Sequence, residues 1–309
     1  MGVTRNILLW ASQSQQLREA LPRYRFFRNA VSRFMPGEEI EDALRAAGEL
    51  REKRIATVLT YLGENVKDEA EATKVARHYC EVLDNINARG LDCHVSPKLT
   101  QLGLDLSKEL SYSHLKSIIE HAQKLRNYVW IDMESTQYTD VTLELYRWAR
   151  KEYENVGLCI QSYLYRTADD LKSLLGLSPG IRLVKGAYAE PPNVAFREKR
   201  NVDANFFLLS RQLLNGTRQN GVRPAFATHD AELIQRIKRE AETIGVSKEE
   251  YEFQLLYGIQ REQQMALANE GYRIRVLISY GSYWFPWYMR RLAERPANLV
   301  FVLRNLLVR

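Results

Sequence analysis

The feature that most constrains this chain is an alternation, repeated eight times, between a short β-rich run and a longer segment with helical periodicity. In the segment after the first run, Val75, Tyr79, Val82 and Ile86 recur at helical spacing, and Gly90 is a natural stop. The runs themselves are short and apolar, as expected of parallel strands that are buried on both faces. We predict strands at 57–62, 91–99, 128–134, 156–163, 181–188, 223–229, 251–257 and 273–280.

Strand and helix units of this number and length favour an α/β fold, a (βα)8 barrel of the TIM type, which takes about 250 residues. A doubly wound open sheet is the competing fold, but it often carries a glycine-rich phosphate loop, and neither GxGxxG nor a GxxxxGKS or GxxxxGKT motif occurs here. We therefore divide the chain into an N-terminal helical arm, 1–50, and a barrel, 51–309.

The N-terminal arm carries most of the formal net charge of +6, because residues 1–35 contain six arginines and one glutamate. Its aromatic and basic residues interleave at 24–28, a pattern typical of segments that bind anionic lipid headgroups. A solvated helical arm packed on its own chain has the same composition, and both readings stay open. We do not expect nucleic acid as a partner.

Cysteine usage and hydropathy predict the compartment. Three scattered cysteines are too few for a disulfide framework, and no apolar run approaches the ~20 residues that span a bilayer. The N-terminus has no pattern of a signal peptide. The expectation is a cytoplasmic protein, with peripheral contact to the inner membrane through the basic arm.

Polar residues at the ends of the predicted strands indicate where the site lies, since a barrel places its active site at the C-terminal ends of its strands. A charged residue in a β-rich run is costly unless it faces a ligand or another charge. Each such residue alone is equally consistent with an ion pair at the barrel rim, but together they favour a site. The charged residues concerned are Lys98, Asp132, Arg182 and Lys185.

Two further segments suggest ligand chemistry. Gly186, Ala187 and Tyr188 follow Lys185 and leave a gap where a flat ring can approach the backbone. Arg290 and Arg291, beyond the last strand, are by themselves typical of a solvated helix face. Near the barrel mouth, with Lys98, they would form a strong anchor for a carboxylate.

Six segments, in order, resemble the proline dehydrogenase family. They are SPKLTQLG (96–103), IDME (131–134), IRLVKGAY (181–188), FATHD (226–230), YEFQLLYG (251–258) and YMRRLAERPANLVFVLRN (288–305). Each motif alone would be weak, whereas their order and spacing make the resemblance specific.

The resemblance implies a distorted barrel whose last helix lies over the strand ends. It implies oxidation of L-proline to 1-pyrroline-5-carboxylate by hydride transfer to noncovalent FAD, the first step of proline catabolism, with a membrane quinone as the usual electron acceptor and no metal. The substrate carboxylate would be held by Lys98, Arg290 and Arg291, with Glu294 pairing within the site. The pocket would be lined by Tyr188 and Leu256, and catalysis would involve Lys98, Asp132, Arg182 and Tyr188. FAD contacts would come from Asp132, Gln161, Arg182, Lys185, Gly186, Ala187, Thr228 and His229, and we expect Gln254, at the end of the seventh strand, on the same side.

The chain departs from the family at the eighth strand. Where the family commonly has a tyrosine against the substrate ring, in a pattern like VYVPYG, this sequence has VLISYG and places Leu277 there. We expect looser recognition of the substrate ring, with Trp287 as an aromatic residue above the substrate.

Two alternative functions remain open at this stage. One is a metal-dependent barrel hydrolase or aldolase that uses Asp132, Glu134, His94 and His229 as ligands. The other is a barrel that binds flavin or a membrane surface and has an altered substrate or no turnover, which Leu277 and the basic arm would suit.

Overall fold

The computed structural model of this protein describes residues 31–294, with only the backbone of 293 and 294. The basic run at 24–28 and the end of the last family-like segment therefore lie outside the described residues. Within them, the fold prediction is confirmed. All eight predicted strands form one closed, parallel barrel in sequence order, and β1 pairs with β8. The strands are β1 Ala56–Tyr61, β2 Cys93–Val95, β3 Val129–Ile131, β4 Val156–Gln161, β5 Gly180–Val184, β6 Arg223–Ala227, β7 Glu252–Leu256 and β8 Arg273–Tyr280.

Strands β2, β3 and β5 end earlier than the predicted runs. Pro97 has no N–H to donate, so the chain leaves the ladder after Val95 and forms a short 3-10 helix, Leu99–Leu102. Gly186 adopts φ 116°, which turns the chain away from β5. At each of these strands, the predicted run included the polar residues that turn toward the barrel mouth.

A helix follows each strand around the barrel, and one helix precedes the first strand. Their beginnings follow the sequence, since Asp68 and Ser107 accept hydrogen bonds from backbone N–H groups of the first turn. The predicted stops also hold, because Gly90 and Gly245 both adopt left-handed conformations. The helices are α1 Ile40–Arg51, α2 Glu69–Ala88, α3 Lys108–Lys124, α4 Thr139–Glu152, α5 Thr167–Leu174, α6 Lys199–Asn220, α7 Ala231–Ile244, α8 Arg261–Asn269 and α9 Trp284–Glu294. None of the described helices is long and apolar enough to cross a membrane.

The interior of the barrel is filled by an aromatic plug, which we define as Tyr128 and Trp130, with ring centroids 5.1 Å apart. Glycines make room for these rings: a Cβ on Gly157 would stand 2.6 Å from Trp130, and one on Gly180 would overlap the Tyr128 hydroxyl. Val58, Ala225 and Leu277 pack against the plug and so mark the inward positions of their strands.

The amino-terminal end of the barrel holds a buried arginine, Arg275, that bonds to two carboxylates. Arg275 is 2% exposed and bonds to Glu252 at 3.3 Å and to Asp92 at 3.0 Å. Because the lower interior is filled by this group and the plug, the inward side chains at the other end are the ones that can meet a ligand.

The last helix, α9, lies over the carboxyl ends of β1 and β7, as the family resemblance implied. Its buried apolar face packs on Leu62 just after β1, on Ile259 after β7, and on Val31, Phe34 and Met35. This position brings Arg290 and Arg291 to the barrel mouth.

Candidate active site

Asp132 is the centre of a charged cluster at the mouth. Its Oδ1 accepts hydrogen bonds from Arg182 Nη2 and, at 2.8 Å, from Ser96 Oγ. Its Oδ2 lies 3.4 Å from Lys98 Nζ. Burial disfavours the charge on Arg182, but Asp132 and other nearby groups outweigh it, so the pKa of Arg182 is raised and the side chain is cationic. Two cations share one carboxylate, which leaves a local charge of +1.

A second cluster joins α9 to the end of β1. Arg290 Nη1 lies 3.2 Å from Glu64 Oε2, and a second bond connects Arg290 Nη2 to Glu64 Oε1. The Arg290 guanidinium carbon stands 5.3 Å from the centre of the Tyr188 ring, which is a cation–π distance. Burial raises the pKa of the Tyr188 phenol, so it is neutral and can donate a hydrogen bond.

The other predicted residues of α9 have different surroundings. Arg291 is partly exposed at the same end of the helix. Trp287 is 8% exposed and belongs to the apolar cluster between α9 and the segment at 31–35. The Glu294 side chain lies outside the described residues.

The predicted cofactor side holds three buried polar atoms without a hydrogen-bond partner among the described residues: Gln161 Oε1, Gln254 Oε1 and Arg182 Nη1. Strand register places Gln161 and Gln254 on one inward row, through Val184 and Ala227. An unpaired buried polar atom costs about 1–3 kcal/mol, so a row of them indicates a ligand. The two carbonyl oxygens and one guanidinium N–H fit a ring system that carries both donors and acceptors, such as a flavin.

The Gln161 amide is fixed in orientation by the backbone. Its Nε2 donates to the carbonyls of Met133 and Glu134 at 3.4 and 3.2 Å, so the unpaired atom is the oxygen. The Gln254 amide is oriented by a side chain, because its Nε2 donates to the Glu252 carboxylate at 2.5 Å, and its unpaired atom is again the oxygen.

Lys185 belongs to a neutral quartet at the rim rather than standing as an isolated charge. It bonds to Asp203 and, at 3.1 Å, to Asp230, and Lys199 bonds to the same two carboxylates. Despite burial, the two lysines lower the pKa of Asp230 to about 2. The positive charge of Lys185 is therefore balanced by carboxylates of the protein.

The loop after β5 is held close to its neighbours. A Cβ on Gly186 would overlap the Tyr163 ring, so no larger residue fits. Glu190 accepts from the Thr136 N–H at 2.8 Å and from the Tyr163 hydroxyl at 3.4 Å. Ala187 stands between Gly186 and Tyr188 in this fixed loop.

The last strands supply the remaining predicted residues. The Thr228 hydroxyl accepts from Asp230 N at 3.1 Å. His229 Nε2 accepts from the Leu256 N–H at 3.1 Å, which places the proton of the neutral ring on Nδ1. Leu256 and Leu277 are register partners, and Leu277 packs against the aromatic plug inside the barrel.

Three contributors were missing from the predicted site. Ser96 Oγ bonds both Arg182 and Asp132, and Trp130 lies 5.4 Å below the Arg182 guanidinium. The signal for Ser96 was its place at a strand end, and the signal for Trp130 was its spacing of two residues from Asp132 on the same strand face. Thr100 had no such signal; its N–H and hydroxyl bond Glu134 at 3.1 and 2.6 Å.

The alternative metal site does not assemble. Among residues 31–294, no three His, Cys, Asp or Glu side chains are arranged to hold a metal ion. His94 lies beside the aromatic plug, where Trp130 Nε1 donates to its Nδ1 at 3.2 Å, and Glu134 is bonded by Thr100.

Comparison with known proteins identifies relatives along the whole chain. A profile of the family described as proline dehydrogenase matches residues 43–304. Proline dehydrogenase 1 of Bacillus subtilis subsp. natto is 41% identical over 98% of this chain and 99% of its own. Proline dehydrogenase of Deinococcus radiodurans is 38% identical over 98% of this chain and 97% of its own.

A solved structure has the same fold. Proline utilization A from Bdellovibrio bacteriovorus, inactivated by N-propargylglycine, superposes with a TM-score of 0.81 at 24% identity. The match covers 94% of this chain and 36% of that larger protein, so it supports the architecture of the barrel.

Proposed function

This chain belongs to the proline dehydrogenase family and oxidises proline, and we propose that it passes a hydride from L-proline to an FAD bound at the carboxyl ends of the barrel strands. Proline dehydrogenases are flavin-dependent in general. The observation that carries the proposal is the group of unpaired buried atoms on Gln161, Gln254 and Arg182 at the carboxyl end of the barrel, where the Arg182 guanidinium lies over Trp130 of the aromatic plug. When bound, FAD supplies the two-electron acceptor that the hydride transfer requires.

The charged cluster around Asp132 supports a role in binding and electrostatics. Arg182 and Lys98 bring one more positive charge than Asp132 neutralises, in a site largely withdrawn from water. Such a fixed positive charge favours an anion and needs no reorganisation when negative charge develops. We assign Arg182 to the cofactor side through its unpaired Nη1, and Lys98 to the substrate carboxylate.

The arginine pair on α9 would complete the carboxylate anchor. Both terminal nitrogens of Arg290 bond Glu64 and the guanidinium lies over Tyr188, so its position is fixed before substrate arrives, and the N–H groups that Glu64 does not use would meet the carboxylate. Fixing the carboxylate holds the ring, and with it the reacting C–H bond, in one place. Tyr188 and Leu256 form the apolar side of the pocket, and the substrate amine must lose its proton before the hydride leaves.

The FAD assignment has a direct test. Purified protein should be yellow, and anaerobic addition of L-proline should bleach the flavin absorbance. A colourless protein that takes up no added FAD would refute the cofactor assignment. A yellow protein whose flavin L-proline does not bleach would refute the assignment of the proline-binding site.

The carboxylate anchor has a separate test. Arg291→Met should raise the KM for L-proline and leave FAD bound, whereas Arg239→Met, an exposed arginine of α7, should change neither. Flavin loss from Arg291→Met would mean that this arginine belongs to the cofactor side.

Leu277 supports looser recognition of the substrate ring. Its branched side chain meets Leu256 and the plug but lacks the ring and hydroxyl of tyrosine. Wild-type protein should therefore accept ring-substituted prolines more readily than Leu277→Tyr does. In each protein, kcat/KM for proline is divided by kcat/KM for a ring-substituted proline. The same ratio in wild type and in Leu277→Tyr would refute this role.

A membrane quinone is the proposed electron acceptor, with peripheral membrane contact through the basic arm. The support is the excess of arginine in residues 1–35. Replacing Arg18, Arg23, Arg25 and Arg28 by glutamine should weaken binding to vesicles containing anionic lipid and leave proline-dependent bleaching intact. Unchanged vesicle binding would refute the membrane role of the arm.

A further inference from the structure

The indole of Trp130 lies under the buried Arg182 guanidinium. The guanidinium carbon is 5.4 Å from the centre of the ring, which is within cation–π distance. Arg182 is 2% exposed and Trp130 is 3% exposed, so both groups are withdrawn from solvent. A cation–π contact is strongest with tryptophan and in a desolvated site. Trp130 therefore helps to hold a cation where burial alone disfavours one.

The indole is itself fixed by its neighbours. Its Nε1 donates to Nδ1 of His94 at 3.2 Å, and its ring centroid lies 5.1 Å from that of Tyr128. On another side it is close to Gly157, where an added Cβ would stand 2.6 Å from the indole. Burial and nearby arginines hold the pKa of His94 well below its ordinary value, so the ring is neutral and can accept this bond. The face that Trp130 presents to Arg182 is therefore a fixed one.

The two terminal nitrogens of Arg182 differ in their hydrogen bonds. Nη2 donates to Asp132 Oδ1 and, at 2.8 Å, to Ser96 Oγ. Nη1 has no hydrogen-bond partner within the described part of the chain, 31–294. A guanidinium held at Nη2 can still tilt, and the tilt decides where Nη1 points. The flat indole of Trp130 beneath it opposes this tilt.

We propose that Trp130 is a positioning residue for flavin reduction: its indole face holds the Arg182 guanidinium so that Nη1 points at the cofactor. The inference rests on the proposed binding of FAD and on the assignment of Arg182 to the cofactor side. A hydride brings two electrons and one proton to the flavin, so negative charge develops on the ring system, and a well-placed cation favours the reduced form. Trp130 would act through Arg182 and touch neither substrate nor cofactor.

Two tryptophan variants test the contact. Trp130→Leu removes the aromatic face beneath Arg182. Trp148→Leu is the matched control, because Trp148 on the outer helix α4 also has a cation over its ring, with Lys108 Nζ 4.9 Å from the ring centre. Both variants lose an indole and a cation–π contact, and only one of them changes the surroundings of Arg182.

The measurement is the midpoint potential of the bound flavin, taken from its equilibrium with a reference dye. We expect Trp130→Leu to lower the ratio of reduced to oxidised flavin about tenfold, which is a shift of about 30 mV to lower potential for a two-electron couple. Loss of a whole preorganised donor costs about 100-fold or more in catalysis, and the effect should be smaller here because Arg182 is kept. Trp148→Leu should leave the ratio within about twofold of wild type.

The direction of the shift separates positioning from general loosening. Leucine leaves space in the interior, and water that entered it would favour the charged, reduced form and raise the potential. Trp130→Phe keeps a flat aromatic face under the guanidinium, so it should restore the ratio to within about threefold of wild type. An unchanged or raised potential in Trp130→Leu, or an equal lowering in the leucine and phenylalanine variants, would overturn the proposal.

Trp130→Met offers an independent variant should leucine at this position prevent folding. Its long flexible side chain fills irregular space but has no aromatic face. It should lower the potential in the same direction as Trp130→Leu. If Trp130→Met folds, binds FAD and has the potential of wild type, Trp130 does not position Arg182.

The outcome for Trp130 can be told apart from that for the proposed function. Arg182→Met removes the cation and should lower the potential, and adding Trp130→Leu to it should change the potential little further. If Arg182→Met has the potential of wild type, the assignment of Arg182 to the cofactor side fails and the Trp130 proposal fails with it. If Arg182→Met lowers the potential or releases FAD while Trp130→Leu behaves as Trp148→Leu does, the Trp130 proposal alone fails.

Discussion

Replacing Asp132 by asparagine should be among the most damaging single changes that preserve side-chain shape. The asparagine oxygen can still accept from Ser96, but Arg182 and Lys98 would remain buried without their shared negative charge. Removing one partner of a buried ion pair costs about 3–5 kcal/mol. Because the Asp132 side chain is 17% exposed, we expect a loss at the lower end of this range, about 3 kcal/mol.

The assay is urea unfolding followed by circular dichroism. Bound FAD stabilises the fold by mass action, so wild type and variant should be compared both at one saturating FAD concentration and without added FAD. Glu144→Gln is the control, since it removes a solvent-exposed ion pair with Lys108 at 2.9 Å and should cost less than about 1 kcal/mol.

A double-mutant cycle shows whether the charge is responsible. Arg182→Met removes the cation that Asp132→Asn leaves unpaired, so the double variant should be more stable than the sum of the single effects by about 1–3 kcal/mol. Additive effects, or a loss in Asp132→Asn no larger than that of Glu144→Gln, would refute the reasoning that these charges depend on one another.

Three further outcomes follow from the structure. Burial raises the pKa of Glu134 from 4.5 to about 7, so the folded protein keeps a proton that the unfolded chain loses. The free energy of unfolding should therefore fall by up to about 3 kcal/mol as the pH rises from 4.5 to 7. Glu134→Gln should flatten this pH dependence in urea titrations. Gly180→Ala should destabilise the fold by about 1–3 kcal/mol in thermal unfolding because its Cβ meets Tyr128, whereas Gly176→Ala, with open space around it, should cost nothing. Exhaustive chelation should leave proline-dependent bleaching unchanged, and a loss restored by metal ions would revive the metal alternative.

The barrel could be predicted because its signal is local and repeated. Each strand and helix pair shows a change of period that a window of a dozen residues contains, and stops such as Gly90 and Gly245 mark the boundaries. The exact strand ends were harder. At Pro97 and Gly186 the run stays β-rich in composition while the backbone leaves the ladder for the barrel mouth.

The charge partners in the site could not be predicted from the sequence. Ser96 and Arg182 are 86 residues apart along the chain and meet across the barrel interior. The charged residues at strand ends were recognisable one by one, but their pairing depends on the register and shear of the closed sheet. Thus Lys185 could not be expected to be neutralised by Asp203 and Asp230.

Two buried charged groups in the barrel interior differ in how their charges are balanced. At the amino-terminal end, Arg275 is matched by two carboxylates, Asp92 and Glu252, so this group carries −1. At the carboxyl end, Arg182 and Lys98 share Asp132, and the group carries +1. Trp130 of the aromatic plug lies under the Arg182 guanidinium, with 5.4 Å between that group and the ring centre. The unbalanced positive charge on Arg182 and Lys98 favours an anionic group at the mouth. Glu252→Gln removes one of the two carboxylates that contact Arg275 and brings that group from −1 to 0. This variant should lower the free energy of unfolding in urea and leave the KM for proline within about twofold of wild type.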